Sequence, residues 1–187
     1  MLTKVQIPES IRGEWRIERF TTDPVRCMAY AGEGRNVPAN EQFTRLMRGR
    51  TVVMSDTPAE MADCHEPVRM ARGSCLVNGL GLGLVLKAIL DKPEVTDVTV
   101  VEISREVFGM VSPYYTDPRI TFVLADAMTY KPPVGKRYQM VWHDIWDYIS
   151  ADNLPQMHEL HRKYGRRADW QGSWCRRQCE LSRGRHI

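Results

Sequence analysis

The sequence predicts an α/β fold: a parallel sheet flanked by helices and preceded by a small antiparallel sheet. Two observations predict the α/β part. From residue 74 onward, short apolar runs alternate with segments of helical periodicity, which is the pattern of strands joined by crossover helices. The first run ends in a glycine-rich turn, Asn78-Gly79-Leu80-Gly81-Leu82-Gly83, that passes directly into a helical pattern. Apolar-polar alternation before residue 56 predicts the antiparallel part.

Residues 1–56 are predicted to form the small β cap. Three segments carry its β pattern: 15–20, 25–30 and 51–54. Gly, Asn and Pro are frequent in 31–40, so this segment is predicted to be a loop. A helix should follow from Asp56 or Thr57, because a capping side chain there precedes Pro58 at the first helical position. Pro67 should kink or end that helix.

Residues 57–150 are predicted to form a nucleoside-binding domain with a parallel sheet. Strands are expected near 74–79, 97–102, 119–124 and 138–143, and helices near 83–91 and 104–112. Each strand finishes in a polar residue: Asn78, Glu102, Asp126 and Asp144. Because the carboxyl ends of parallel strands meet at one edge of a sheet, these side chains should line one crevice.

The glycine turn predicts a site for a flat, nucleotide-like ligand. Its glycines remove Cβ atoms where the backbone turns sharply, and the helix that follows points its free N–H groups at the same place. Glycine-rich turns also occur where a strand simply packs against a helix. The residues around the turn must therefore distinguish a ligand site from a packing turn. Glu102 lies about 20 residues past Gly83, where dinucleotide-binding folds place the acid that accepts ribose hydroxyls.

Residues 151–187 are predicted to form a basic helical tail with a helix over about 153–164 and no further strong strand. The tail holds eight Lys or Arg against four Asp or Glu, while the whole chain has a net charge of +3. Such a tail can bind phosphate groups, but basic residues in this number more often form the solvated face of a helix. Nucleic-acid binding is therefore not favoured. Cys175, Cys179 and His186 lie close in sequence, yet they make a poor tetrahedral metal site.

The composition favours a globular protein of the cytoplasm. With 187 residues and 43% hydrophobic content, the chain can form one domain with a small appendage. No run approaches the roughly 18 apolar residues of a membrane span, and the first residues lack the apolar core of a signal peptide. The five cysteines are odd in number and scattered, which suits a reducing compartment.

Four motifs together resemble the spermidine synthase group of the class I S-adenosylmethionine-dependent methyltransferase superfamily. They are the turn Gly79-Leu80-Gly81-Leu82-Gly83-Leu84, the strand end Val101-Glu102-Ile103, the pair Asp126-Ala127 and the motif Asp144-Ile145-Trp146-Asp147. The pair His65-Glu66 is similar to one that enters the family's site on a helix. The resemblance implies a Rossmann-like sheet, an N-terminal β cap, and S-adenosylmethionine or its decarboxylated form as cofactor. It extends to compact bacteriophage and prophage proteins.

The resemblance also implies roles for single residues. Cofactor contacts are expected from Asn78, Gly79, Gly81, Gly83, Glu102, Ile103, Asp126, Ala127 and His65. Ionised Glu102 can accept both ribose hydroxyls, and Asp126 can accept the adenine amino hydrogen. Asp144 would hold an ammonium and receive the proton that an attacking amine loses, so it is the candidate catalytic residue. Asp147 is either a second catalytic residue or a helix N-terminal residue.

Departures from the family leave the reaction open. The family's acid at the fourth position of the turn is Leu82 here, and residues 151–187 offer no counterpart of the family's acceptor half. Methyl transfer to a small acceptor, with an amine as one candidate, is therefore preferred over aminopropyl transfer. A non-catalytic nucleoside binder and a nicotinamide-dependent oxidoreductase are further alternatives, and a homodimer stays open. His65 and His143 are weaker candidates for a general base.

Overall fold

A computed structural model of the chain describes residues 2–32 and 36–183. It contains a four-stranded antiparallel sheet followed by a five-stranded parallel sheet flanked by helices. The predicted α/β fold with an N-terminal β cap is therefore confirmed.

The cap is a meander of four strands. They are β1 (Ser10–Arg12), β2 (Trp15–Thr21), β3 (Gln42–Arg48) and β4 (Thr51–Ser55), paired in the order β1-β2-β3-β4. The predicted strands at 15–20 and 51–54 are confirmed. The partner of β2 is β3, which pairs with it over its whole length from Trp15 opposite Arg48 to Thr21 opposite Gln42.

The predicted strand at 25–30 is wrong, because these residues belong to helix α1 (Pro24–Gly32). Asp23 caps the helix: its Oδ1 accepts a hydrogen bond from the backbone N–H of Arg26 at 3.0 Å. Pro24 then occupies the first helical position, where its missing N–H costs nothing. These start features outweigh the apolar composition. The predicted loop over 31–40 falls partly on residues 33–35, which lie outside the described part of the chain.

Helices α2 (Pro58–Asp63) and α3 (His65–Met70) connect the cap to the parallel sheet. Thr57 is the N-cap residue and Pro58 is the first helical residue, as predicted. The Thr57 side chain makes no capping hydrogen bond, because its hydroxyl lies 3.0 Å from the Ser55 hydroxyl instead. The helical pattern is interrupted at Cys64, between α2 and α3, three residues before Pro67. Pro67 has no N–H to bond the carbonyl of Asp63, and its ring would clash with that carbonyl, so α2 ends there as predicted.

The parallel sheet has the strand order β7-β6-β5-β8-β9. Its remaining elements are β5 (Gly73–Asn78), α4 (Leu84–Leu90), β6 (Val95–Glu102), α5 (Arg105–Val111), β7 (Ile120–Leu124), β8 (Tyr138–His143), α6 (Leu154–Tyr164), β9 (Ala168–Ser173) and α7 (Arg176–Ser182). Short 3₁₀ turns follow α5 and precede α6. The predicted strands, and the helices near 83–91, 104–112 and 153–164, are confirmed.

Strand β9 was not predicted from the sequence. Its residues, Ala-Asp-Trp-Gln-Gly-Ser, lack an apolar run because β9 is an edge strand that is only partly covered. It pairs in parallel with β8, from Tyr138 opposite Ala168 to His143 opposite Ser173. Residues of the predicted tail thus belong to the same sheet, and Leu154, Met157 and Leu160 of α6 are buried in its core.

The core lies between the parallel sheet and its helices. Leu84, Val85, Leu86 and Ile89 of α4 are at most 5% exposed and pack against the buried strands β5 and β6. The longest helix within residues 2–32 and 36–183 has 11 residues, and none of the helices there is long and apolar enough to cross a membrane.

Candidate functional site

A pocket of about 300 Å³ lies at the carboxyl edge of the parallel sheet, beneath the cap. We call it the glycine-turn pocket. Predicted site residues that line it are Gly79, Gly81, Glu102, Ile103, Asp126, Ala127, Asp144 and Asp147. The ends of β5, β6, β7 and β8 thus contribute to one cavity. This is the convergence expected when polar residues follow neighbouring parallel strands.

The glycine turn requires glycine at the two positions that line the pocket. Gly79 has φ +94°, and a Cβ atom there would overlap the carbonyl oxygen of Asp144. Gly81 has φ +51°, and its Cβ would press on the Met54 sulfur. The N–H of Gly79 donates to the carbonyl of Val101 at 2.8 Å. The turn is therefore fixed against β6 and the β8 loop, and its backbone is open toward the pocket.

Two further residues of the motif face the core instead of the glycine-turn pocket. The side chain of Asn78 is fully buried and lies 2.8 Å from Nδ1 of His143. A Cβ at Gly83 would meet the ring of Tyr115, whose hydroxyl donates to the carbonyl of Leu82 at 2.8 Å. Neither Asn78 nor Gly83 lines the pocket, so both support the turn from behind.

Glu102 is the buried carboxylate at the centre of the site, only 7% exposed. Its Oε2 accepts the N–H of Leu80 at 2.9 Å, and its Oε1 accepts the N–H of Ser104 at 2.7 Å. Burial raises the pKa of Glu102, and these backbone donors partly offset that effect. The backbone N–H groups of Ile103 and Gly81 also act on this carboxylate, so ligand hydroxyl groups would share its two oxygens with backbone donors.

Asp126 and Ala127 form the wall of the pocket that follows β7. Oδ1 of Asp126 accepts the N–H of Met128 at 2.8 Å, which turns the backbone back over the pocket. Nζ of Lys163, on α6, donates to the carbonyls of Ala127 and Met128 at 2.8 and 2.9 Å. The loop that follows β7 is therefore held in place by α6.

Asp144 lies half-buried at the end of β8, and its N–H donates to the carbonyl of Asn78 at 2.8 Å. Loss of solvent raises its pKa to about 8, and the negative charges of Glu60, Asp63 and Glu102 add to this effect. Asp144 therefore sits among carboxylates in a place that favours a cationic partner. Burial also raises the pKa of the neighbouring Cys64 thiol, with the Asp144 charge as the next cause.

The cap closes the pocket, which the sequence did not indicate. Arg48 of β3 forms an ion pair with Asp147, and its guanidinium lies over the ring of Trp15, 5.4 Å from the centroid. The Met54 sulfur, on β4, accepts the N–H of Leu82 at 3.3 Å. Trp15, Arg48 and Met54 all line the pocket, as does Gln156, which accepts from the Trp146 indole at 2.8 Å. Asp147 therefore fastens the cap to the β8 loop.

His65 and His143, the two histidines predicted as candidate bases, lie outside the glycine-turn pocket. His143 is fully buried, and loss of solvent lowers its pKa to about 3, so it is neutral and does not serve the pocket as a base. His65, predicted to contact the cofactor, is exposed at the start of α3 and lines a separate cavity with Glu66 and Arg176. The helix break at Cys64 directs it there. Asp144 is thus the candidate base with the right position.

No metal centre is formed by the described residues. Cys175 and Cys179 are both buried, and no group of three His, Cys, Asp or Glu within residues 2–32 and 36–183 is placed to hold a metal ion. His186, the third predicted ligand, lies outside the described residues.

The raised pKa of Asp144 predicts how stability changes with pH. Between about 6.5 and 8 the folded protein retains a proton on Asp144 that the unfolded chain has released, so stability should fall as pH rises. His143 opposes this trend only weakly, because about half of the unfolded molecules carry a proton on it at pH 6.5 and almost none do at pH 8. The comparison with Asp144→Asn removes this contribution, which both proteins share. Urea unfolding at pH 6.5 and 8 should show a decline in wild type that is smaller in Asp144→Asn. Equal declines in both proteins would contradict the assigned pKa.

Comparison with solved structures identifies the fold. The spermidine synthase from Thermotoga maritima superposes on 88% of this chain with a TM-score of 0.52 and 17% sequence identity, and the match covers 53% of that enzyme. The chain has the methyltransferase-like Rossmann fold. It spans about half of the synthase.

A second similar structure has a lower score. The N-methyltransferase NodS from Bradyrhizobium japonicum matches 65% of this chain and 72% of its own length, with 13% identity and a TM-score of 0.47. No protein-family model and no curated protein sequence matches the chain.

Proposed function

We propose that the chain is an S-adenosylmethionine-dependent transferase that moves a methyl group to a small acceptor. The observation that carries the proposal is the convergence of Glu102, Asp126 and Asp144 around a turn that lacks Cβ atoms, in one pocket of the fold that spermidine synthase also has. These three acids fit the three parts of such a sulfonium nucleoside. Glu102 is a buried acceptor for hydroxyl groups, Asp126 lies beside a wall that an adenine ring could contact, and Asp144 is placed to pair with a cation.

The residues that would hold the cofactor follow from these chemistries. Glu102 would accept the two ribose hydroxyls, and Asp126 with the backbone of Ala127 would pair with the adenine edge. Asp144 would hold the ammonium group, since a nearby positive charge favours its ionised form. When bound, the cofactor supplies an electrophilic methyl carbon. Positioning of an acceptor beside that carbon is the protein's main contribution.

Methyl transfer is preferred over aminopropyl transfer because of Leu82. This residue stands where aminopropyltransferases carry an acid, and it is fully buried in the core and outside the glycine-turn pocket. The pocket therefore gains no extra carboxylate there for an aminopropyl amine. A non-catalytic nucleoside binder remains the next alternative. The hypothesis of a nicotinamide-dependent oxidoreductase has less support, because it explains Glu102 but gives Asp144 no role.

Calorimetry with S-adenosylmethionine tests the proposal. We expect binding to wild type, and we expect Glu102→Ala to weaken it by about 1 to 3 kcal/mol, because the ribose hydroxyls lose their acceptor. Glu106→Ala is the matched control: Glu106 accepts the Ser104 hydroxyl at 3.0 Å on the same helix start but does not line the pocket. Melting curves of both variants separate a binding defect from a folding defect.

Three results would decide against the proposal or change it. Heat with NAD and none with either sulfonium would overturn the nucleoside assignment. A decarboxylated cofactor that binds tenfold tighter, a difference of about 1.4 kcal/mol, would favour aminopropyl transfer. Equal binding by wild type and Glu102→Ala would remove Glu102 from the site. The cytoplasmic location and the resemblance to phage proteins stay predictions from the sequence. The homodimer stays open, and nucleic-acid binding stays possible but not favoured.

A further inference from the structure

The charged side chains that line the glycine-turn pocket are mostly acidic. Four carboxylates line it, those of Glu102, Asp126, Asp144 and Asp147. Arg48 is the single basic side chain among the described residues that line it. S-adenosylmethionine carries positive charges on its sulfonium and its ammonium, and a negative charge on its carboxylate. The acidic side chains suit the two cations, and Arg48 is the one lining side chain whose charge suits the carboxylate.

Arg48 is held at the pocket from two sides. It is the last residue of β3, opposite Trp15 of β2 and Thr51 of β4. Its guanidinium lies over the ring of Trp15, 5.4 Å from the centroid, and Nη2 forms an ion pair with Asp147 of the β8 loop. The ring and the ion pair together fix the guanidinium, so its position at the pocket does not depend on a ligand.

The ion pair with Asp147 does not prevent Arg48 from binding a second carboxylate. An arginine side chain has five N–H donors in a planar fork, and the bond to Asp147 engages the Nη2 corner. A ligand carboxylate can approach another edge of the same fork. The Arg48 side chain is 45% exposed, whereas that of Asp147 is only 17% exposed, so the guanidinium is the accessible member of the pair.

Arg48 also lies near Asp144, the side chain assigned to the cofactor ammonium. Asp144 and Asp147 belong to the same loop after β8, and three residues of chain span at most about 11 Å. Both side chains line one pocket of about 300 Å³, and Arg48 is fastened to Asp147. In S-adenosylmethionine the ammonium and the carboxylate are bonded to the same carbon atom. A cofactor whose ammonium pairs with Asp144 therefore has its carboxylate in the small space that Arg48 lines.

We infer that Arg48 binds the carboxylate of S-adenosylmethionine and makes the site select this cofactor over its decarboxylated form. The inference rests on the proposed function and assigns a residue to the choice between the two cofactors. The decarboxylated form keeps both cations but has no group that the guanidinium can bind, and its ammonium would lie near a like charge. The same side chain therefore attracts one cofactor and disfavours the other. Leu82 accounts only for the lack of an acid that would favour an aminopropyl amine.

Calorimetry with S-adenosylmethionine and with its decarboxylated form tests the inference on wild type and Arg48→Met. Methionine keeps an unbranched apolar stem beside Trp15 and removes the guanidinium. We expect wild type to bind S-adenosylmethionine at least about tenfold more tightly than the decarboxylated form, which is the scale of one charge-assisted hydrogen bond. Arg48→Met should lose at least about tenfold in S-adenosylmethionine affinity, while its affinity for the decarboxylated form should not fall.

Arg45→Met is the matched control. Arg45 lies on the same strand, its Nε donates to Glu18 at 2.7 Å, and its guanidinium lies over the ring of Phe20, 4.9 Å from the centroid. It thus has the same kinds of contact as Arg48 but does not line the glycine-turn pocket. Arg45→Met should bind both cofactors as wild type does.

A double variant accounts for the release of Asp147, since Arg48→Met also removes the partner of that carboxylate. Arg48→Met/Asp147→Asn lacks both members of the ion pair and should still have lost the preference for S-adenosylmethionine. If the double variant regains the wild-type preference, the freed Asp147 carboxylate and not the missing guanidinium changed the selectivity, and the inference is wrong. Arg48→Gln replaces Arg48→Met if the methionine variant does not fold.

The outcomes separate this inference from the proposed function. If Arg48→Met weakens the binding of both cofactors equally, or leaves the preference of wild type unchanged, Arg48 does not bind the carboxylate, although S-adenosylmethionine stays the ligand. A wild type that binds the decarboxylated form as tightly as S-adenosylmethionine, or more tightly, would also overturn the inference. Failure of wild type to bind either sulfonium would instead overturn the proposed function itself.

Discussion

Replacing Asp144 by asparagine should lower turnover at saturating cofactor about a hundredfold, the lower end of the usual loss for a general base. Asparagine keeps one hydrogen-bonding oxygen but can neither take a proton nor balance a cation. The pKa of Asp144 is about 8 in the free protein, and the cofactor ammonium lowers it, so the carboxylate is ionised near neutral pH in the complex and can accept a proton. Saturating cofactor removes losses that come only from weaker binding. The measurement is the transfer of a labelled methyl group to the acceptor.

The control for this variant is Asp169→Asn, which removes an exposed carboxylate on β9, away from the pocket. Its turnover should equal that of wild type, and circular dichroism should confirm that both variants fold. A pH profile of kcat/KM for the cofactor adds a second readout, since it reports the free protein and should rise with pH as Asp144 ionises. If Asp144→Asn matches the saturated rate of wild type, Asp144 is not the base.

Gly79→Ala should lower the free energy of unfolding by at least about 3 kcal/mol, the level reached by severe backbone changes. Two costs combine at this position. A left-handed φ strains any residue with a Cβ by about 1 to 2 kcal/mol. The new Cβ would also overlap the Asp144 carbonyl oxygen, which is backbone and has no side-chain freedom to move away. Urea unfolding measures the loss, and S-adenosylmethionine binding should disappear with it.

The chain offers a matched control in Gly135→Ala. Gly135 has φ +76°, similar to Gly79, but a Cβ there would meet nothing within 4 Å. It should therefore show only the conformational cost of about 1 to 2 kcal/mol. Equal destabilisation by the two substitutions would mean that the contact between the turn and the β8 loop contributes nothing.

The α/β part could be predicted because its central strands β5, β6 and β8 are largely buried on both faces. Such strands appear as continuous apolar runs, and their polar ends fall at one edge of the sheet. Topology alone therefore predicts the proximity of Glu102, Asp126 and Asp144. Strand β9 could not be predicted in this way, because an edge strand needs no apolar run and its position depends on pairing with β8.

The contribution of the cap to the site could not be predicted. Arg48 and Met54 reach the pocket only because β3 and β4 pack over the sheet edge, and no local pattern encodes contacts between residues so distant in the chain. The strand expected at 25–30 is wrong because the capping features at Asp23 and Pro24 start a helix there. The sequence also did not indicate that His65, at the start of α3 after the break at Cys64, lines a separate cavity and not the glycine-turn pocket.

The pairing of β5 with β8 sets when the site can form during folding. The contact between Asn78 and His143 joins positions separated by 65 residues, and the carbonyl of Asp144 packs directly on Gly79. Long-range parallel pairing of this kind forms slowly, because the intervening chain must lose entropy before the contacts stabilise it. The glycine turn thus receives its final support only when β8 docks. During synthesis, a nascent chain that ends before residue 144 lacks both the acid and the carbonyl that packs on the turn, so the site can form only after β8 has been made.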